Sequence, residues 1–322
     1  LRFGAGRGTS VSASTISRRA VIAVLGTAGA GAILSAAACG HGSSGRAPTA
    51  ADSATGVASP TPPASNAPDV VDPADLPSYD YEGRDLAVIS QGEAMAGRLY
   101  VPAIADPVPL IICSHGLVGS IHDLDSVAQT LAGLGLASYC FAFRNGGPEA
   151  GDTTRMSVMT EVQNLRDALT LVQGLDYVDA NRTYLIGASQ GGVVTTLVAD
   201  ENPTGVRGIA LLYPALSLFD DAHERFPNRE DITDTTDLMG LTVGRKYFED
   251  IYDVNIYDHM SFGGEVLIFH GTADDIVPIS YSQRASTTFA HADLTTLDGE
   301  GHGFTEPAQE TVADGILSII DE

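Results

Sequence analysis

One pentapeptide constrains this chain more than any other feature: Gly187-Ala188-Ser189-Gln190-Gly191. It directly follows the apolar run Thr183–Ile186 and directly precedes the helix-like Gly192–Ala199. A strand, a sharp turn and a helix in that order lift a serine hydroxyl clear of the backbone at the edge of a parallel sheet. The turn is strained and crowded, which explains the flanking glycines. Only an α/β architecture supplies that setting, and the rest of the chain has the matching rhythm of short apolar runs alternating with amphipathic ones.

Strands are expected at Arg84–Ile89, Met95–Val101, Pro109–Ser114, Leu136–Phe143, Arg182–Ile186, Val206–Tyr213, Glu265–His270 and Ala292–Leu297. Helices are expected at Asp123–Leu134, Ser157–Leu175, Gln190–Ala199, Ser280–Phe289 and Glu306–Ile320. The first two strands flank Gln91-Gly92-Glu93 and read as an antiparallel hairpin leading into the sheet. The stretch after Tyr213 is too long for a simple crossover. With weak helical periodicity and Tyr247, Tyr252 and Tyr257, it reads as a cap inserted at about 217–264 over the carboxyl edge of the sheet.

The chain of 322 residues is long enough for one large core beyond its leading segment. Ser17-Arg18-Arg19 precedes an apolar run to Ala38, the pattern of an export signal over residues 1–38, with paired arginines suggesting the twin-arginine route. Cys39 follows Ala36-Ala37-Ala38 and resembles the lipidated cysteine of a bacterial lipoprotein, which would tether the protein to a membrane surface; ordinary cleavage and release is the alternative. Residues 39–77, with Pro60, Pro62, Pro63, Pro68, Pro73 and Pro77, read as a linker. Residues 78–322 form the folded domain. Four arginines lie in the first 38 residues, leaving 13 basic against 41 acidic residues beyond them. For so acidic a chain, nucleic acid and anionic lipid surfaces are poor partners, and a membrane is expected only through a lipid on Cys39. Cys113 and Cys140 lie in apolar strand-like runs and are expected as buried free thiols.

Ser189 needs a base, and the base needs an orienting acid. His302, bracketed by Gly301 and Gly303, follows the last expected strand; Asp274 and Asp275 follow the strand before it. All emerge at the edge where Ser189 emerges, and sequence geometry leaves the two neighbouring acids open. Backbone amides of Leu117, after Ser114-His115-Gly116, and of Gln190 are the candidate donors for an oxyanion. His115 and His270 are read as structural histidines that hydrogen-bond their loops.

Segments His115-Gly116, Phe141–Gly146, Gly187–Gly192, His270–Pro278 and Gly301–Phe304 resemble the α/β-hydrolase superfamily. Within it the chain looks like the carboxylesterase branch that includes cinnamoyl (feruloyl) esterases, close to dienelactone-hydrolase and serine-aminopeptidase-like groups. The resemblance implies an eight-stranded, mostly parallel sheet with helices on both faces, a small cap after strand six, and no cofactor or metal. It implies ester hydrolysis through an acyl-enzyme, with a small-molecule ester as the partner. Its spacing selects Asp274 over Asp275, and it makes Tyr247, Tyr252, Tyr257 and Asp253 the candidates for holding a substrate's phenolic end. Two departures, Ala142 where that branch often has Asp and Leu117-Val118-Gly119-Ser120 after the His-Gly, put the acyl pocket wall in question. Two other readings stay open: a peptidase using acids of Glu249–Asp253, and a surface lipoprotein that binds without turnover.

Overall fold

A computed structural model describes residues 78–147 and 151–320. The expected export signal, Cys39 and the linker lie outside the described residues. Twelve strands and seven helices follow one another among the described residues. Strands β1 (Tyr81–Asp85), β2 (Val88–Ser90), β3 (Glu93–Met95), β4 (Gly97–Pro102) and β5 (Val108–Ser114) lead into α1 (Asp125–Gly133). Then come β6 (Ala137–Phe141), α2 (Val158–Gln173), β7 (Val178–Ala188), α3 (Gln190–Asp200) and β8 (Val206–Leu212). An insertion holds α4 (Leu218–Arg225), β9 (Thr235–Leu238), β10 (Leu241–Gly244) and α5 (Arg245–Glu249), before β11 (Glu265–Gly271), α6 (Ser280–Thr288), β12 (Ala292–Leu297) and α7 (Glu306–Ser318).

Eight strands form one sheet in the order β1-β4-β6-β5-β7-β8-β11-β12. Only β4 runs against the rest, pairing antiparallel with both β1 and β6. Alternate side chains along each central strand feed two cores, because a strand points successive residues to opposite faces. Leu110, Ile112, Leu185, Ile209 and Leu211 join the core under α2 and α3. Ile111, Cys113, Ile186, Ala210 and Leu212 join the one under α1 and α7. Fully burying each such aliphatic side chain contributes about 1.5–3 kcal/mol, so the pleat itself holds both helical layers. Cys113 and Cys140 are direct neighbours across β5 and β6, both free and buried.

Two expectations are corrected. The entry hairpin is not two strands but four: β2 and β3 close a tight Gln91-Gly92 turn as a separate ribbon, while β1 and β4 pair in the main sheet. Both turn residues have positive φ, the twist that two-residue hairpins favour. The insertion, read as weakly helical, also contains a hairpin, β9–β10, with Met239 and Gly240 at positive φ in its turn. Phe226, Tyr247, Phe248 and Ile251 from this insertion are buried in the same core as α2 and α3. A reciprocal capping box, Ser157 with Thr160, starts α2, and the Ser157 hydroxyl also donates to Asp250 of the insertion at 2.6 Å.

Candidate active site

The carboxyl ends of β5, β7, β8, β11 and β12 gather the chemistry-bearing loops at one edge, where ligands bind in sheets of this kind. Ser189 sits between β7 and α3 with φ 52° and ψ −119°, a strained conformation for a residue with a side chain. The strain is held by hydrogen bonds on both sides: Ser189 N–H donates to Leu212 O at 2.9 Å, and its carbonyl accepts from Gly192 and Ala215. A Cβ on Gly191 would lie 2.3 Å from the Ser114 carbonyl, so only glycine lets α3 start this close to β5. Gly116 approaches from the other side, where a Cβ would lie 3.0 Å from Ser189 Cβ.

His302 Nε2 is 2.9 Å from Ser189 Oγ, and its Nδ1 is 2.9 Å from Asp274 Oδ2. The carboxylate fixes the proton on Nδ1, which leaves Nε2 free to accept from the serine hydroxyl. Asp274 is fully buried at its side chain. Burial pushes its pKa up, but hydrogen bonds from His270, His302 and the Val277 amide outweigh that and hold it well below the usual carboxylate range. Oδ1 accepts from the N–H groups of Ile276 and Val277, both at 2.9 Å. His270, also buried, reaches Oδ2 at 3.2 Å and the Val277 carbonyl at 2.9 Å through Nε2. Two acceptors at Nε2 place the proton there, so Nδ1 accepts from the Ser282 hydroxyl at 2.7 Å. Asp275 is exposed.

His115 is a loop fastener. Its Nδ1 donates to Gly116 O at 2.7 Å and its Nε2 accepts from Phe143 N–H at 3.1 Å. Burial lowers its pKa, consistent with a neutral ring. Leu117, half-buried, follows Gly116 beside the serine. Gln190 opens α3, so its amide is one of the first-turn N–H groups that have no acceptor within the helix.

The cap candidates are placed differently. Tyr247 is fully buried, and its hydroxyl donates to Gln190 Oε1 at 2.5 Å. Tyr252 donates to Phe226 O at 2.8 Å and Tyr257 to Tyr281 O at 3.2 Å. Asp253 is exposed and paired with Arg229. Tyr247 is thus brought to the residue after Ser189, while the hydroxyls of Tyr252 and Tyr257 are turned to backbone carbonyls.

Two residues at this edge escaped the sequence reading. Tyr213, at φ 36° after β8, sets its ring edge-on to both His302 and Phe304 at 4.8 Å. Burial, then the nearby carboxylates of Asp123 and Asp274, push its phenol up to about 12, so it stays neutral. Glu161, buried on α2, accepts from Gln190 Nε2 at 2.7 Å. A signal for it existed: Glu161 falls on the apolar stripe of Val158, Val162, Leu165 and Val172.

No group of three or more His, Cys, Asp or Glu suited to a metal occurs among the described residues. Residues 105–231 match the family model described as serine aminopeptidase, S33. Monoglyceride lipase from Mus musculus is 31% identical over 136 residues, spanning 42% of this chain and 44% of the lipase. An uncharacterized protein of Mycobacterium tuberculosis is 26% identical over 226 residues, 70% of this chain and 74% of that protein. Among solved structures, Est1E from Butyrivibrio proteoclasticus with ferulic acid bound matches at a TM-score of 0.67 and 24% identity, covering 74% of this chain and 100% of Est1E. At that identity the likeness is one of fold.

Proposed function

We propose, from its α/β-hydrolase fold and the family model matched over residues 105–231, that this chain is a serine carboxylesterase acting on small or aromatic esters, hydroxycinnamoyl esters included. The observation that carries the reading is the unbroken line Asp274–His302–Ser189, two contacts of 2.9 Å each. Ser189 Oγ attacks the ester carbonyl as His302 Nε2 takes its proton. Asp274 holds His302 and stabilises the imidazolium that forms. The amides of Leu117 and Gln190 receive the developing oxyanion. His302 returns the proton to the departing alcohol, leaving an acyl-enzyme. Water then repeats the sequence on the acyl group, with His302 again as base.

The aromatic preference is suggested by the ferulic acid bound to Est1E. Recognition of a phenol by Tyr252 or Tyr257 would require their hydroxyls to leave Phe226 O and Tyr281 O. If Tyr252→Phe and Tyr257→Phe leave methyl ferulate kinetics unchanged, that part of the proposal fails. The export signal and Cys39 make the site extracellular in this reading, surface-tethered or released; the intact mass of the exported protein decides between the two.

A peptidase reading is favoured by the description of the matching family model. Against it, the acids that would hold a free amino terminus are already paired: Glu249 with Arg245, Asp250 with Lys246 and Asp253 with Arg229. Hydrolysis of p-nitrophenyl butyrate, methyl ferulate and a peptide nitroanilide by the full chain and Ser189→Ala separates the readings. Ester turnover that vanishes in Ser189→Ala is expected. Nitroanilide turnover alone would favour the peptidase, and failure of a fluorophosphonate to label Ser189 would favour binding without turnover.

A further inference from the structure

We infer that the Gln190 side chain is a positioning strut, clamped between Glu161 of α2 and Tyr247 of the cap, that fixes the Gln190 backbone amide beside Ser189. The inference rests on the hydrolase reading of Ser189 and adds a role to side chains that reading leaves idle.

The three residues form a directional chain. Tyr247 Oη–H donates to Gln190 Oε1 at 2.5 Å, and Gln190 Nε2–H donates to Glu161 Oε2 at 2.7 Å. Both ends of the Gln190 amide are engaged, Oε1 by Tyr247 and Nε2 by Glu161, which holds the side chain between the cap and α2. Relative exposure is 2% for Gln190, 1% for Glu161 and 0% for Tyr247. All three side chains are thus closed off from solvent. A purely structural contact here would use apolar residues, as at Val193, Val194 and Leu197 further along α3, because buried polar groups are costly unless each is bonded. Placed at the first residue of α3, the clamp restrains the Cα that carries the oxyanion amide. An amide misplaced by a fraction of an ångström loses much of its transition-state contact.

The titratable and charged groups around Glu161 are few. Tyr247 faces it from α5, with Asp221 of α4 acting on Tyr247. Asp250 is held by Ser157, and Arg144, on the connection into α2, is turned to Glu93. As a carboxylic acid, Glu161 keeps Oε2 as acceptor without a buried charge; Glu161→Gln preserves that acceptor and that neutrality.

The test uses the full chain with Tyr247→Phe, Glu161→Ala and Glu161→Gln. Readouts are kcat and KM on p-nitrophenyl butyrate, the rate of Ser189 phosphonylation by a fluorophosphonate, and kcat from pH 6 to 9.5. Tyr247→Phe and Glu161→Ala should lower kcat and the phosphonylation rate about five- to tenfold, the worth of one buried hydrogen bond, with KM within twofold. Glu161→Gln should restore most of the rate at pH 7 and remove the fall of kcat expected in the native chain as Glu161 ionises above about pH 8. Unchanged kcat and phosphonylation in Tyr247→Phe would overturn the strut, as would Glu161→Gln being as slow as Glu161→Ala. Should Glu161→Ala fail to fold, Tyr247→Phe, which removes one oxygen, decides alone. Should the chain phosphonylate normally yet turn over no ester, the ester reading fails and the strut is judged on the phosphonylation rate.

Discussion

Two carboxyl groups are buried on either side of Ser189, and they hold their protons oppositely. Asp274, in the loop after β11, receives four hydrogen bonds, from Ile276, Val277, His270 and His302. Glu161, on α2, receives one, from Gln190, and its Oε1 has no partner among the described residues. Asp274 is held well below the usual carboxylate range, whereas burial raises Glu161 to about 8. Burial alone therefore does not set ionisation here; the number of donors aimed at the oxygens does. In the proposed mechanism the anion orients a base, and in the inferred strut the neutral acid braces a helix start.

The sharpest break of this contrast is Asp274→Asn. An amide offers one oxygen where the carboxylate used two, so its NH2 must face either the paired backbone N–H groups or the two histidines. Facing the histidines, it puts His302 in the wrong tautomer for accepting from Ser189. The expected loss is about 10³- to 10⁴-fold in kcat. Steady-state hydrolysis of p-nitrophenyl butyrate measures it, and a loss under tenfold would mean that another group orients His302.

Glu161→Gln sharpens the other side through stability. Below about pH 4.3 the carboxyl is protonated in both the folded and unfolded chains and contributes no pH dependence. As pH rises toward 8 the unfolded chain releases that proton while the folded one keeps it, so stability falls, and above about 8 the penalty is complete. Its size is on the order of a few kcal/mol. Melting temperatures of the native chain and of Glu161→Gln should nearly coincide at about pH 4 and separate in favour of the variant by pH 8. Parallel pH profiles would show that Glu161 is ionised in the fold.

His270→Leu removes one of the four donors to Asp274 and leaves the Val277 carbonyl unpaired in a buried position. About 2 kcal/mol of stability and about a tenfold loss in kcat are expected. The losses are smaller than for Asp274→Asn because three donors remain. Thermal melts and steady-state rates together check this, and unchanged values would mean that His270 merely fills space.

The elements that carry the site were legible because each has an internal signature. β12 begins and ends at the expected residues, and α3 differs by one residue at its end. The elbow was readable from glycines whose missing side chains make room for the crossing of β5 and α3. The cap was less so: Thr235–Leu238 alternates between exposed and half-buried positions but carries a single apolar residue, so no face of it announces a hairpin. Glu161 and Tyr213 were missed for a related reason. A glutamate within an apolar stripe reads as a solvated edge until its partner, Gln190, is folded against it. Tyr213 gains its role only when β12 brings His302 to its ring.

The smallest expected effect concerns the residue that sequence could not tell from Asp274. Asp275 occupies the same loop and emerges from the same strand, so chain position treats the two alike. The turn separates them. Asp274 Oδ1 accepts from the N–H groups two and three residues on, the pattern by which an aspartate side chain closes a local turn, and this points it inward to His302. Its neighbour is left on the solvent side, exposed, where water and salt screen its charge. Asp275→Asn should therefore change kcat by less than twofold. A loss approaching that of Asp274→Asn would mean that the two acids exchange places when substrate binds, and the donor-count account of the buried anion would have to be rebuilt around a mobile loop.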